Sequence, residues 1–473
     1  MIGSIGTKSR IIEGDLAGRQ LDLFRLFIER AWSLLSEGGV LGFVVPSAFH
    51  TAAGAAGVRR LIFDSGSLLT YAVLRNSRRW FDISTGLEFG LLVARRGTPK
   101  EPIVRFRFGL EGPEPLTGST PWLTLPRTYF ETSNPYYTLP SVGTEDALRA
   151  IVATSRTMTT WTDFARSTRV ELRSTPTSLH RTHEAKHFLD IRTERDPRLV
   201  VGVDGGWQRS GAPIHEGATF GRFDDTWGPP PKYALSPERI EQVPRYRSSL
   251  GYYRLVMRAI VGSSPHKSIA AVIAPGTLAA NSALVEGFPE SRPNALALVG
   301  AAVLNSSIAS FLLLTSADLN VNLFALRRMP WPRSLPERFL AHGALRLLTN
   351  HVGWLPLWHE QLGKVQPSQT ILLPSVGDPE ARRRLHGALD AAVAHAYGLS
   401  RIDYEAVLSH FGEDATFEHG MAAFAQIETR GEEFYGAEDP YHDVELVPTL
   451  PERWAPLPDR EECSTVVTAP SNP

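Results

Sequence analysis

The sequence predicts an α/β protein that opens on the closing elements of a doubly wound, Rossmann-like sheet and continues into a mixed α+β domain and a helical carboxyl-terminal region. Three observations carry this expectation. LLSEGGVLGFVVPSAF, residues 34–49, runs from a helix through paired glycines into an unbroken apolar strand that ends on Pro-Ser. Strand, helix, strand and strand patterns then follow one another to Ala94. Far downstream, Pro379 to Tyr397 has the apolar spacing of an amphipathic helix and is closed by Gly398.

Taken in order, Leu23, Phe27, Ala31 and Leu34 fall at helical spacing, with Arg25, Glu29 and Arg30 turned elsewhere. This predicts an amphipathic helix from Asp22 to about Ser36, stopped by Gly38-Gly39. Val40 to Val45 is apolar without alternation, the pattern of a parallel strand covered on both faces. A helix is expected near Val58 to Phe63, then strands over Leu68–Leu74 and Leu87–Ala94 as a final hairpin on the sheet edge, within a first domain of residues 1–105. Residues 106–160 turn to Pro, Thr, Ser and Gly and read as a linker or irregular insertion, and residues 161–335 as a mixed domain. Pro293 to Ala317, in that domain, carries no charge and is about long enough to cross a bilayer. Asn305-Ser306-Ser307 and Ser310 interrupt it and no basic or aromatic belt flanks it, so it reads as a buried helix and no membrane is expected. Residues 336–430 are helical in texture. After Gly431 ten Asp or Glu face two Arg, with seven prolines, so 431–473 reads as an ill-ordered acidic tail.

Composition narrows the function classes. A net charge of −1 and a pI near 6.9 exclude a protein coated in basic charge, so nucleic-acid contact would need a local patch. The single cysteine, Cys463, excludes an internal disulfide framework and a cysteine-built zinc site, and fits a reducing cytoplasm. The first residues lack the order of a secretory signal. The 14 histidines form no ligand-spaced cluster, so no metal site is expected.

LDLFRLFIERAWSLLSEGGVLGFVVPSAF, followed by RNSRRWFDISTGLEFGLLVARR, resembles the second half of the catalytic domain of adenine-N6 DNA methyltransferases. The resemblance is to the type IIG restriction-modification and phage-defence enzymes that carry their own target recognition domain. PIHEGATFGRFDD, YYRLVMRAIVGSSPHKSIAAVIAP, ALVGAAVLNSSIASFLL and NLFALRRMPWP follow in the order of such a recognition domain, and LHGALDAAVAHAYGLSRIDYEAVL resembles its helical continuation. The order of the blocks is the specific signal. The resemblance implies the carboxyl-terminal part of a methyltransferase sheet over residues 1–105, a target recognition domain over 161–335, S-adenosyl-L-methionine as cofactor and double-stranded DNA as partner. In that family the glycine-rich cofactor loop and the Asn-Pro-Pro-Tyr or Phe motif lie before the helix at Asp22, and residues 1–21 contain neither. Ser133-Asn134-Pro135-Tyr136-Tyr137 is one proline short and follows the sheet; it reads as a turn with exposed tyrosines. The expectation is a chain lacking the catalytic half through gene splitting, truncation or a misplaced start, with no catalytic residue of its own. Its partners would be a separately encoded amino-terminal half or a nuclease.

An enzyme that methylates adenine in duplex DNA must flip the base out of the stack, and an aromatic face can hold it there. The resemblance assigns that role to Phe81; the alternative is that Trp80 and Phe81 cap the hairpin. Pro46 and Ser47 stand where a strand ends on its carboxyl side and would line the pocket, or the proline simply ends the strand. Val58 to Arg107 holds ten Lys or Arg against four Asp or Glu, and Arg75, Arg78 and Arg79 among them would meet phosphates. A second basic cluster of Arg245, Arg247, Arg254, Arg258, His266 and Lys267 is interleaved with Tyr246, Tyr252 and Tyr253, a mixture suited to a groove reader. Asn305, Asn320 and Asn322 match polar positions of the recognition blocks, where asparagines more often satisfy buried backbone. Two functions remain open: part of an adenine-specific DNA methyltransferase, or a non-catalytic DNA-reading specificity subunit or decayed remnant.

Overall fold

The computed structural model describes residues 22–451 except 99, 119–120, 135, 158, 175–178, 193–210, 226–230, 262–265, 267, 317–320, 322, 351, 364–377 and 413–414. The chain is of the α/β class and divides into two compact units, Met1–Met158 with Leu314–Asp318, and Thr159–Leu313 with Leu319–Pro473.

In the first unit α1 (Leu23–Leu34) leads through Gly38, at φ 78, into β1 (Val40–Pro46). Then follow α2 (Ala56–Ser65), β2 (Gly66–Arg75), β3 (Glu88–Arg96), β4 (Ile103–Leu110) and β5 (Leu123–Pro126). The five strands form one mixed sheet in the order β1-β3-β2-β4-β5. β1 and β2 each run antiparallel to β3, and β4 runs parallel to β2.

Four expectations change here. The β2–β3 hairpin is interior, because β4 and β5 extend the sheet beyond β2, and of residues 106–160, read as a linker, all but Thr159 and Thr160 fall in the first unit. β1 is not covered on both faces: Leu41 and Val45 are buried while Val40 and Val44 are each 55% exposed. Its outer edge has no strand partner among the described residues. Finally, α1 is turned the other way. Arg25, Ile28 and Trp32 face inward and the stripe Leu23, Phe27 and Leu34 faces solvent, because Arg25 donates to the Gly54 carbonyl (2.7 Å) and the Trp32 indole to the Ser65 hydroxyl (2.9 Å).

The second unit holds two four-stranded sheets. One has the order β11-β10-β13-β6, from Ala270–Ile273, Arg254–Arg258, Ala283–Glu286 and Leu172–Arg173. The other has the order β12-β8-β9-β7, from Leu278–Ala279, Ala212–His215, Tyr233–Leu235 and Phe188–Asp190. The uncharged segment is buried, but as two helices, α3 (Asn294–Leu304) and α4 (Ser307–Leu314), bent by 63°. No single helix among the described residues is long and apolar enough to cross a membrane. The break is made by side chains. The Asn305 carboxamide accepts from the Ala270 N–H (2.9 Å) and donates to the Ala270 carbonyl (2.8 Å), standing in for a strand partner of β11. Asp390 then accepts from the Ser307 N–H at the start of α4 (2.5 Å).

The carboxyl-terminal helices include α5 (Glu337–Leu348), α6 (Leu355–Leu362), α7 (Pro379–Ala396) and α8 (Glu432–Glu438). The acidic tail is not ill-ordered where it is described. Asp439 bonds His342 (2.7 Å), Arg338 donates to the His442 carbonyl (2.7 Å) and Arg384 pairs with Glu438 (2.8 Å). Its residues find partners on distant helices, which a local charge count cannot register. Residues 452–473, with Cys463, lie outside the described residues.

Asn305→Ala should leave the N–H of the buried Ala270 unpaired, at about 1–3 kcal/mol, while its carbonyl keeps the Phe223 N–H (3.1 Å). A lower urea midpoint with an unchanged m-value is the expected result.

Candidate functional site

Because β1, β2 and β4 point the same way, their carboxyl ends emerge at one edge of the sheet, the edge where open α/β sheets bind ligands. Pro46 is paired with Phe89 across the β1–β3 ladder, and the Ser47 N–H reaches the Glu88 carbonyl (3.4 Å). The loop of residues 76–87 stands above them. It carries Phe81, which is 41% exposed and meets Phe89 edge-on, with ring centres 4.9 Å apart at 84°. The structure thus brings Pro46, Ser47, Arg75, Arg78, Arg79 and Phe81 to one place.

The floor of this edge is filled. Tyr71 packs between Phe49 (5.3 Å) and His50 (5.7 Å), and His50 against Phe108 (4.7 Å). The Ser47 carbonyl accepts from the Tyr71 hydroxyl (3.4 Å) and contacts the His50 ring nitrogen (2.5 Å), so it is used within the protein. Gly90 is required under this stack, since a Cβ there would lie 2.3 Å from the Tyr71 hydroxyl oxygen.

The charge at the edge is more balanced than the sequence count suggests. Arg75 pairs with Glu111 (3.2 Å) and Arg78 with Glu114, whose carboxyl it holds below the usual range, while Arg79 is exposed at φ 54. Elsewhere in Val58–Arg107, Arg59 and Arg96 are spent on the fold, while Arg60 and Arg105 are exposed. Arg59 donates to the carbonyls of Phe49, Ala52 and Tyr136, and Arg96 to those of Trp32, Ser33 and Leu35.

The second basic cluster does not form one exposed surface. Arg254 is 1% exposed and donates to the Thr277 carbonyl, and burial pulls its pKa down to about 10. Arg258 is half-buried and donates to the Phe220 carbonyl (3.0 Å). Both stand on β10, which lies between β11 and β13, so Arg-rich sequence that suits a groove reader belongs to an interior strand. Tyr246 and Tyr253 are buried as well. Among the described residues of the cluster, Arg245, over the Tyr246 ring (5.0 Å), and Arg247, paired with Glu241 (2.9 Å), are the exposed ones. His266 stacks on Phe411 (4.7 Å). Lys267, Asn320 and Asn322 lie outside the described residues.

Of the Ser133–Tyr137 string, Ser133 ends a helix (Arg127–Ser133) and both tyrosines are half-buried rather than exposed, while Pro135 lies outside the described residues. Asn134 folds back on Thr138, donating to its carbonyl (2.6 Å) and accepting from its N–H (3.2 Å). Tyr137, at φ 53, is half-buried against Phe63 (4.7 Å). Among the described residues no group of three His, Cys, Asp or Glu is placed to hold a metal ion.

The residue that sequence reasoning missed is Asn76. It is fully buried, and its carboxamide bonds the Phe81 N–H (3.1 Å) and the carbonyls of Phe81 and Ile83 (3.0 Å each). An asparagine after a strand is an ordinary turn residue, so no sequence signal marked it.

These placements separate two kinds of arginine. Arg254→Ala should cost about 1–3 kcal/mol through the unpaired Thr277 carbonyl, with a further loss from the cavity. Arg247→Ala should change unfolding free energy by less than about 0.5 kcal/mol. Denaturant unfolding of the two variants checks the difference.

Residues 9–81, which include α1, β1, α2, β2 and the loop as far as Phe81, match the family model of the Eco57I restriction-modification methylase. No curated protein matches the chain. Solved structures similar to it include the type IIL restriction-modification enzyme MmeI in complex with DNA, at 11% identity and a TM-score of 0.45 over 92% of this chain and 55% of that one. A nuclease-deletion mutant of the type ISP restriction-modification enzyme LlaGI, in complex with a DNA substrate mimic, is similar at 11% identity and a TM-score of 0.35, over 93% and 50%. The DrdV–DNA complex is similar at 10% identity and a TM-score of 0.31, over 89% and 54%. The chain spans about half the length of each of these proteins. The match to the Eco57I restriction-modification methylase thus lies within the first unit, over residues 9–81, and a methylase as a kind of protein calls for a methyl donor.

Proposed function

We propose that this chain supplies the carboxyl-terminal part of the catalytic sheet and the target recognition domain of an adenine-N6 DNA methyltransferase in a restriction-modification or phage-defence system. The observation that carries the reading is Phe81, an aromatic ring held half-exposed at the carboxyl edge of a sheet, in the stretch that matches a methylase family. An adenine flipped out of a duplex loses its stacking on both sides. A protein ring restores about 1–3 kcal/mol of it.

The methyl donor in this reading is S-adenosyl-L-methionine, and the described residues do not by themselves make its site. The space beside Ser47 is taken by the His50, Tyr71 and Phe108 rings. We assign the donor site to strands that continue the sheet past β1. The support is a strand edge with no partner among the described residues, flanked by exposed Leu23, Phe27, Leu34, Val40 and Val44, a combination that soluble proteins cover.

The test is reconstitution. Translating the DNA upstream of Met1 should show a glycine-rich loop followed by Asn-Pro-Pro-Tyr, and the polypeptide carrying them, mixed with this chain, should transfer a methyl group to duplex DNA. N6-methyladenine by mass spectrometry supports the proposal, and methylcytosine overturns its adenine specificity. Sustained DNA binding without any transfer in the mixture would leave the non-catalytic DNA reader.

DNA binding should already be present in the isolated chain and fall with salt, each phosphate contact contributing about −0.9 to the log–log slope. Absence of binding at low salt on every duplex tried would overturn the recognition-domain assignment. In the reconstituted enzyme Phe81→Ala should lower methylation of a paired adenine strongly, and Phe81→Tyr much less. The defect should shrink on a mismatched adenine, which is already partly unstacked.

A further inference from the structure

We infer that Asn76 is the positioning residue of the loop that presents Phe81, an inference that rests on the base-stacking reading of Phe81. One carboxamide binds both backbone groups of that residue. Its oxygen accepts from the Phe81 N–H (3.1 Å) and its nitrogen donates to the Phe81 carbonyl (3.0 Å), with further donation to Ile83 (3.0 Å) and Ser84 (3.4 Å). The Asn76 backbone closes the same loop from below: its N–H donates to the Leu87 carbonyl (2.8 Å) and its carbonyl accepts from the Arg79 N–H (2.9 Å). With its N–H and carbonyl both held, Phe81 has little freedom to swing its ring onto the sheet.

The consequence is visible in what the loop exposes. Trp80, Phe81, Ile83 and Leu87 all remain in large part solvent-exposed, although burying any of them would be favourable. A loop free to rearrange would collapse these side chains onto the adjacent strands. A fully buried side chain instead holds them out, and the edge-on contact with Phe89 leaves at least one face of the Phe81 ring uncovered by that neighbour. Few side chains can replace this clamp. Aspartate keeps the acceptor for the Phe81 N–H but loses the donors to two or three carbonyls, and alanine loses both.

The experiment measures how strongly the full chain prefers an unstacked adenine. Two duplexes of one sequence, with a central adenine either paired or bulged out, are titrated by fluorescence anisotropy at low salt. Phe81→Ala should reduce the preference for the bulged adenine roughly ten-fold. Asn76→Ala should reduce it to the same extent, Asn76→Asp to an intermediate one, and the double variant Asn76→Ala/Phe81→Ala no further than Phe81→Ala alone. Amide hydrogen exchange over residues 80–87 should quicken in Asn76→Ala and stay unchanged in Phe81→Ala. Retention of the preference by Asn76→Ala, while Phe81→Ala loses it, overturns the positioning role. So does unchanged exchange in Asn76→Ala. No preference in the wild type, with no effect of Phe81→Ala, removes the stacking reading itself and the inference with it. Thermal melting of Asn76→Asp guards against general unfolding: normal melting with a reduced preference supports the clamp, and normal melting with a full preference overturns it.

Discussion

The second unit is organised by a carboxylate and a guanidinium that have no access to water. Glu286, at the end of β13, pairs with Arg292 (2.6 Å) and accepts from the Leu255 N–H of β10 (2.9 Å). Arg292 donates in turn to the Tyr253 carbonyl (2.9 Å) and to Asn294 (3.0 Å), the first residue of α3, and Asn294 reaches Glu360 of α6. One buried pair therefore fixes where two strands and two helices meet. Such a pair adds little net stability over an apolar replacement, but removing one partner strands the other at about 3–5 kcal/mol. Its value is in register: α3 can start at one place only, and Asn305 then ends it at one place only.

The same physical device works at a smaller scale in the first unit. Asn76, Asn134 and Arg59 each satisfy backbone groups in irregular segments beside the sheet, which is how loops at its carboxyl edge can be both unpaired and well defined. A candidate site needs that combination. Its reactive surface must stay open, so rigidity has to come from below.

This division explains what was legible in the sequence. The positions of α1, β1, α2 and α7 follow from local periodicity and from stop signals such as Gly38 and Gly398, both at positive φ, and the apolar sequence around Leu298 and Phe311 does place it in the core. What failed was whatever depends on a distant partner. Arg254 looked like a DNA contact because nothing nearby in sequence reveals that β10 is flanked on both sides, and the tail looked disordered because Arg338, Arg384 and His342 lie far from its carboxylates. Phe81 was found through resemblance, and Asn76, five residues earlier, was not, since a clamp is defined by its bonds rather than by its residue type.

The inverted face of α1 has the same origin and leads further. A helix with Leu23, Phe27 and Leu34 on one side would ordinarily turn that side to the sheet. Here rotation is blocked. Arg25 is held by Gly54 and Asp22, and the fit at Gly54 is so close that a Cβ there would lie 2.4 Å from the guanidinium, while Trp32 is held by Ser65. Turning the stripe inward would break these bonds and expose the buried Ile28 and Trp32, which offsets the gain from covering three side chains whose exposure costs about 1.5–3 kcal/mol each. The uncovered stripe is thus the stable arrangement of this unit by itself, and it adjoins the β1 edge that has no partner among the described residues. A strand added at that edge would satisfy the β1 backbone, and a helix carried with it would cover the stripe, so a single βα element answers both exposures at once.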